Sequence, residues 1–174
     1  PQVHLASGIA VSILASMGTA LAGSFSETYF FGDGLADAGF YRPLLPSSVR
    51  PVTGQFTTNP ADVWAQIIAD ELGTSADPNG NGQTGTNYAN GGARVVVDWV
   101  GALGPVPSMN TRVNDYLTEH GGVADPGALY TVWGGMNDIA LVLAGIAPPT
   151  AIDDAVVGEV AMVQALANAG ARYV

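Results

Sequence analysis

The chain has 174 residues, 48% of them apolar and 11% charged, a balance that suits a packed globular domain and excludes a disordered chain. Five arginines, no lysine and fifteen acidic residues give a formal charge of −10, which argues against a sequence-independent grip on nucleic-acid phosphates. With no cysteine, disulfides, thiolate metal sites and cysteine nucleophiles are excluded.

In chain order, Leu5 to Ala22 carries no charge and ends in Ala20-Leu21-Ala22 before Gly23, the small-x-small ending of a secretory leader. The expected division is therefore a leader at 1–22, a domain at 23–174 and a place of work outside the cytoplasm; a membrane anchor and a buried helix are the alternatives for the first segment. Thr28 to Phe31 reads as a strand that stops at Gly32-Asp33-Gly34. A helix is predicted over Ala61 to Leu72, capped by Asn59, with Pro60 in its first turn, Gly73 at its end and Val63, Trp64, Ile67, Ile68 and Leu72 as its apolar face.

Ala76 to Gly85 is rich in Gly, Pro, Asn and Asp and reads as a surface loop. Its Asp77, Asn79 and Asn81 have a faint likeness to a calcium loop, but the downstream bidentate Glu is missing, and no metal is expected there. Strands follow at Thr86 to Ala89 and Leu129 to Trp133, separated by a helix from about Met109 to Glu119 behind Ser108. A last helix is predicted after Pro148-Pro149, with Thr150 as N-cap, Ile152, Val156, Val160, Val163 and Ala167 recurring along it, and Gly170 as its stop. Arg172 to Val174 would open another strand. This alternation predicts an α/β sandwich with a mainly parallel sheet.

Three short blocks, each just after a predicted strand, carry the chemistry. They are Phe31-Gly32-Asp33-Gly34-Leu35-Ala36-Asp37-Ala38-Gly39, then Asn87-Tyr88-Ala89-Asn90-Gly91-Gly92-Ala93, then Trp133-Gly134-Gly135-Met136-Asn137-Asp138-Ile139. Each alone reads as an ordinary glycine or Asn-Asp turn. A nucleotide-binding reading of Gly32-Asp33-Gly34 lacks both a Gly-x-Gly-x-x-Gly run and a Walker lysine.

In their order and spacing the blocks resemble those of the GDSL, or SGNH, esterase and lipase family, most closely its secreted and autotransporter-borne bacterial members. The likeness runs from about Phe30 to Val174. It implies a three-layer α/β/α sandwich and a serine mechanism that uses no cofactor or metal, acting on a small-molecule or lipid ester. By the resemblance, position 34 is the nucleophile's, and here it holds glycine, which has no side-chain oxygen to attack with. Gly92 is the oxyanion-hole glycine, with Gly91 as the fallback if the register slips by one. Asn137 offers its side-chain amide to the oxyanion, while Asp33 and Asp138 support the loops.

The family's fourth block, Asp-x-x-His, is not present: His4 lies in the presumed leader, and His120 reads as a solvated helix cap. The expectation is a partial SGNH domain whose C-terminal part is missing, inactive as written, with membrane association through that missing part. The alternative is a catalytically dead SGNH domain kept as a carbohydrate- or lipid-binding module.

Overall fold

A computed structural model describes residues 25–55 and 61–174. The expected leader and the expected cap Asn59-Pro60 lie outside the described residues.

Strand β1 (Thr28–Gly32) is the axis of the domain. It pairs in parallel with a second strand at Leu129–Trp133, in a register that sets Thr28 beside Leu129 and Gly32 beside Trp133. On its other side residues 86–90 run parallel to it: Tyr88 N–H donates to Phe30 O at 2.8 Å and Asn90 N–H to Gly32 O at 3.2 Å. Beyond 129–133, Tyr130 N–H donates to Tyr173 O at 2.9 Å. The spatial order is thus 86–90, β1, 129–133, 173.

Successive side chains of a strand point to opposite faces, so adjacent Phe30 and Phe31 must be covered from both sides. Each is fully buried, and each belongs to a different core. Phe30 packs with Ala36, Ala38, Val63, Ala65 and Ala69 on one face, while Phe31 packs with Tyr88, Met109, Val113, Tyr116, Met162 and Leu166 on the other. Two cores on one sheet make the three-layer α/β/α sandwich, and the near-continuous Tyr-Phe-Phe run is the pattern such a doubly covered strand requires.

The elements in chain order are β1, helix α1 (Trp64–Leu72), the hairpin β2 (Asn79–Gly80) and β3 (Gln83–Thr84), the hairpin β4 (Trp99–Gly101) and β5 (Gly104–Val106), α2 (Met109–Glu119), β6 (Leu129–Trp133), α3 (Met136–Leu143) and α4 (Thr150–Ala169). Short 3-10 turns at Arg42–Leu44 and Arg50–Val52 lie between β1 and α1. No described helix is long and apolar enough to cross a membrane. Helix α2 starts as expected, with the Ser108 hydroxyl accepting from Thr111 N–H, and Gly73 and Gly170 end α1 and α4 in the left-handed conformation.

The remaining helix expectations need correction. Helix α1 begins three residues later than predicted, at Trp64, where Gln66 Oε1 accepts from the N–H of its N-cap Val63 at 3.1 Å. Its buried residues are Ala65 and Ala69, whereas Ile67 is 54% exposed. In α4 Thr150 is the first helical residue and not the cap. There the buried stripe is Ala151, Ala155, Gly158, Met162 and Leu166, and the larger Val156, Val157 and Val160 face outward. Close approach explains this choice: a Cβ on Gly158 would stand 2.3 Å from a Val96 methyl. Helix α3 was not foreseen.

Strand 86–89 is reduced to isolated bridges of Asn87 with Phe30 and Pro78, and on the side facing away from β1 Asn87 Oδ1 takes the Ala89 N–H at 3.0 Å. Only a single bridge at Tyr173 marks the last expected strand. The 76–85 segment, expected as a loop, folds into the β2–β3 hairpin with Asn79 buried.

The corrected face of α1 gives a direct test. Ile67→Ala should change unfolding free energy by less than about 1 kcal/mol, while Ala69→Leu should lower it by about 1–3 kcal/mol through overpacking. Urea unfolding of the two variants checks this, and the reverse ranking would restore the sequence-derived face.

Candidate active site

All three blocks leave the sheet at its C-terminal edge, the side on which open parallel sheets place ligands. Gly32 and Trp133 are register partners and Asn90 bonds to Gly32, so the chain departs from three neighbouring positions. Gly32 itself has no room for a Cβ, which would stand 2.9 Å from Trp133 O and 3.1 Å from the Ala36 methyl.

The first block closes at once into a turn. Asp33 Oδ1 accepts from Leu35 N–H at 3.0 Å and Asp33 O from Ala36 N–H at 3.1 Å. Asp33 is buried, and that burial pushes its carboxyl above the ordinary range although the Leu35 N–H works the other way. Gly34, also buried, does not use a left-handed conformation.

Asp37 ties the first block to the second. Its Oδ1 accepts from Gly39 N–H and Phe40 N–H, each at 2.7 Å, and its Oδ2 accepts from Gly91 N–H at 2.7 Å. Asn87 adds a second tie, its Nδ2 donating to Ala36 O at 2.8 Å. Gly92 sits at a φ of +79°, and a Cβ there would stand 3.1 Å from the Trp99 ring, so both conformation and space ask for glycine. The Trp99 indole N–H donates to Gly92 O at 3.0 Å.

The third block opens α3. Gly135, at a φ of +87°, is its N-cap, and Asn137 and Asp138 lie in its first turn, where an acidic group is favoured. Asp138 is fully buried, with Oδ1 accepting from Arg94 Nε at 2.9 Å and Oδ2 from Val95 N–H at 3.0 Å. Asn137 Nδ2 donates to Ala93 O at 2.7 Å, which occupies one of its two amide hydrogens. Asn137 thereby joins block three to block two, and Asp138 joins it to the two residues that follow block two.

Sequence reasoning missed several supports of this arrangement. Arg112, buried in α2 between the rings of Phe40 and Tyr88, donates to Tyr88 O at 3.2 Å and to Asn79 Oδ1 at 2.8 Å. It braces the second block from behind, and the only signal was an arginine on an otherwise apolar helix face. Asp37 was visible in the motif but carried no assigned role. His120 is placed away from the blocks: its Nδ1 lies 2.8 Å from Tyr116 O and its ring stands edge-on to Tyr29, near the start of β1.

Two clefts border the blocks. One, of about 340 Å³, is lined among the described residues by Leu35, Trp64 and Trp133. The other, of about 180 Å³, lies over Gly91 and Gly92 between Tyr41, Trp99 and Val106. A larger cleft of about 480 Å³ between Val132 and α4 contains no residue of the first two blocks.

A three-layer sandwich with glycine-rich loops gathered at one end of its parallel sheet defines the class: an α/β domain of the SGNH-hydrolase type. The GDSL-like lipase/acylhydrolase family model matches residues 29–162, and the chain belongs to that family. It is 30% identical over 152 residues to Lipase 1 of Photorhabdus luminescens, covering 87% of this chain. The chain spans only 22% of that relative's length.

The Asp37 bridge predicts a measurable coupling. Asp37→Asn turns an amide nitrogen toward at least one of three N–H donors and should lower unfolding free energy by about 1–3 kcal/mol. Burial raises the Asp37 carboxyl, with the three N–H groups and Arg42 opposing. Folded Asp37 therefore keeps its proton to higher pH than unfolded Asp37. Its contribution is fully present below the unfolded value and falls as pH rises through the folded one. The gap between chain and variant should accordingly narrow with rising pH across that window; urea unfolding at a series of pH values checks it, and a widening gap contradicts it.

Proposed function

We propose that this chain is part of a carboxylic-ester hydrolase in which the acyl carbonyl is attacked from position 34 and its oxygen is held by Gly34 N–H, Gly92 N–H and the Asn137 amide. One observation supports this most. Gly34 N–H and Gly92 N–H donate to no protein acceptor among the described residues, whereas Gly91 N–H is taken by Asp37. That difference favours Gly92 over Gly91 as the oxyanion donor, since a donor already engaged cannot answer charge that develops in the transition state.

The chemistry proposed for the family's serine is acyl transfer. A base removes the hydroxyl proton as the oxygen attacks, the tetrahedral intermediate places its negative charge among the three donors, and collapse expels the alcohol with the returned proton. Gly34 cannot begin this sequence. His120 does not reach the blocks, so the base and its orienting carboxylate belong, in this reading, to sequence outside these residues. A dead domain that binds a lipid or carbohydrate is the second reading, and Gly34 itself favours it, because glycine there removes the nucleophile while the turn remains.

The chain as written should hydrolyse a short-chain nitrophenyl ester no faster than the buffer background. Gly34→Ser in a protein that also carries the Asp-x-x-His pair should be labelled by a fluorophosphonate at position 34, and adding Asn137→Ala to it should lower kcat about 10²–10³-fold. Turnover by the unaltered chain, or no labelling of the substituted one, would overturn the assignment.

A further inference from the structure

We infer that the cleft formed by Leu35, Trp64 and Trp133 receives the aliphatic chain of the ester, and so sets which esters this site accepts. This rests on the hydrolase reading above, and deepens it. Leu35 directly follows position 34, and Trp133 ends β6 beside Gly32 and opens the block that carries Asn137. The cleft therefore begins at the point where a bound carbonyl would sit.

Its chemistry favours hydrocarbon. The described side chains that line it are one leucine and two tryptophans, with no carboxylate, amide or hydroxyl among them. A sugar would need such groups to replace the water on its hydroxyls, and an aliphatic chain needs none. Leu35 is 38% and Trp133 58% exposed, so apolar surface at the cleft is open to cover by a ligand. A volume of about 340 Å³ lies at the small end of ligand sites.

The walls are also held in place before any ligand arrives. Trp64 stands edge-on to fully buried Phe30, with ring centroids 5.7 Å apart, and edge-on to Trp133 at 6.4 Å. A chain entering between these rings meets surface already ordered, which limits the entropy lost on binding.

Because Gly34 leaves esters intact in this chain, binding can be measured without turnover. The readout is tryptophan fluorescence on titration of the unaltered chain with methyl butanoate, hexanoate and octanoate. Affinity should rise with each added methylene, by at most about fourfold per step for full burial. Leu35→Asn puts a polar group into the cleft at a partly exposed position while leaving both reporters, and it should weaken octanoate binding at least tenfold with an unchanged circular dichroism spectrum. If Leu35→Asn does not fold, Trp133→Phe should still reduce the octanoate-induced signal.

Affinity that is independent of chain length, binding that survives Leu35→Asn, or a response to cellobiose in place of the esters would each overturn the inference. The hydrolase reading fails by a separate result, the absence of fluorophosphonate labelling at position 34, which leaves the chain-length dependence untouched.

Discussion

The Asp37 carboxylate collects three backbone N–H groups from two separate loops, and the arrangement above the sheet depends on it. Burying that group is costly, as the upward push on its proton affinity records, and the three hydrogen bonds offset the cost. What the fold gains is a fixed distance between the first block and Gly91. Asp138 does the same between Val95 and the start of α3, with Arg94 as its counter-charge. Neither carboxylate needs the residue at position 34, so the loops keep their geometry when that residue is glycine.

In the proposed reading, the scaffold is thus separate from the nucleophile position. The turn at Asp33 to Ala36 closes through backbone and carboxylate bonds alone, and the backbone at 34 is not left-handed. In the proposed reading, glycine at 34 removes the attacking hydroxyl and leaves the turn in place. The proposed oxyanion donors share the same independence, since two of them are backbone N–H groups.

The strand pattern and the motifs were legible because they are local. Tyr-Phe-Phe before Gly-Asp-Gly, and Leu-Tyr-Thr-Val-Trp before Gly-Gly, gave β1 and β6 almost to the residue. The helix faces were not. Periodicity marks large apolar side chains, yet α1 and α4 approach the core through Ala65, Ala69, Ala155 and Gly158, because close packing selects small residues. Long-range ties were equally hidden: nothing local says that Asp37 accepts from Gly91, or that Arg112 lies between Phe40 and Tyr88. The motif residues were readable as a family pattern, while the physical reasons for their spacing came from tertiary contacts.

The central claim is that three donors converge on one developing charge, and it can be tested without a nucleophile. A phosphonate monoester anion imitates the tetrahedral intermediate, and two-dimensional NMR of the chain can follow each donor as the anion is added. The account predicts that the amide resonances of Gly34 and Gly92 and the side-chain amide of Asn137 shift together with one dissociation constant, while Gly91 moves little. Saturable shifts confined to other residues, or a Gly91 response with none at Gly92, would contradict it.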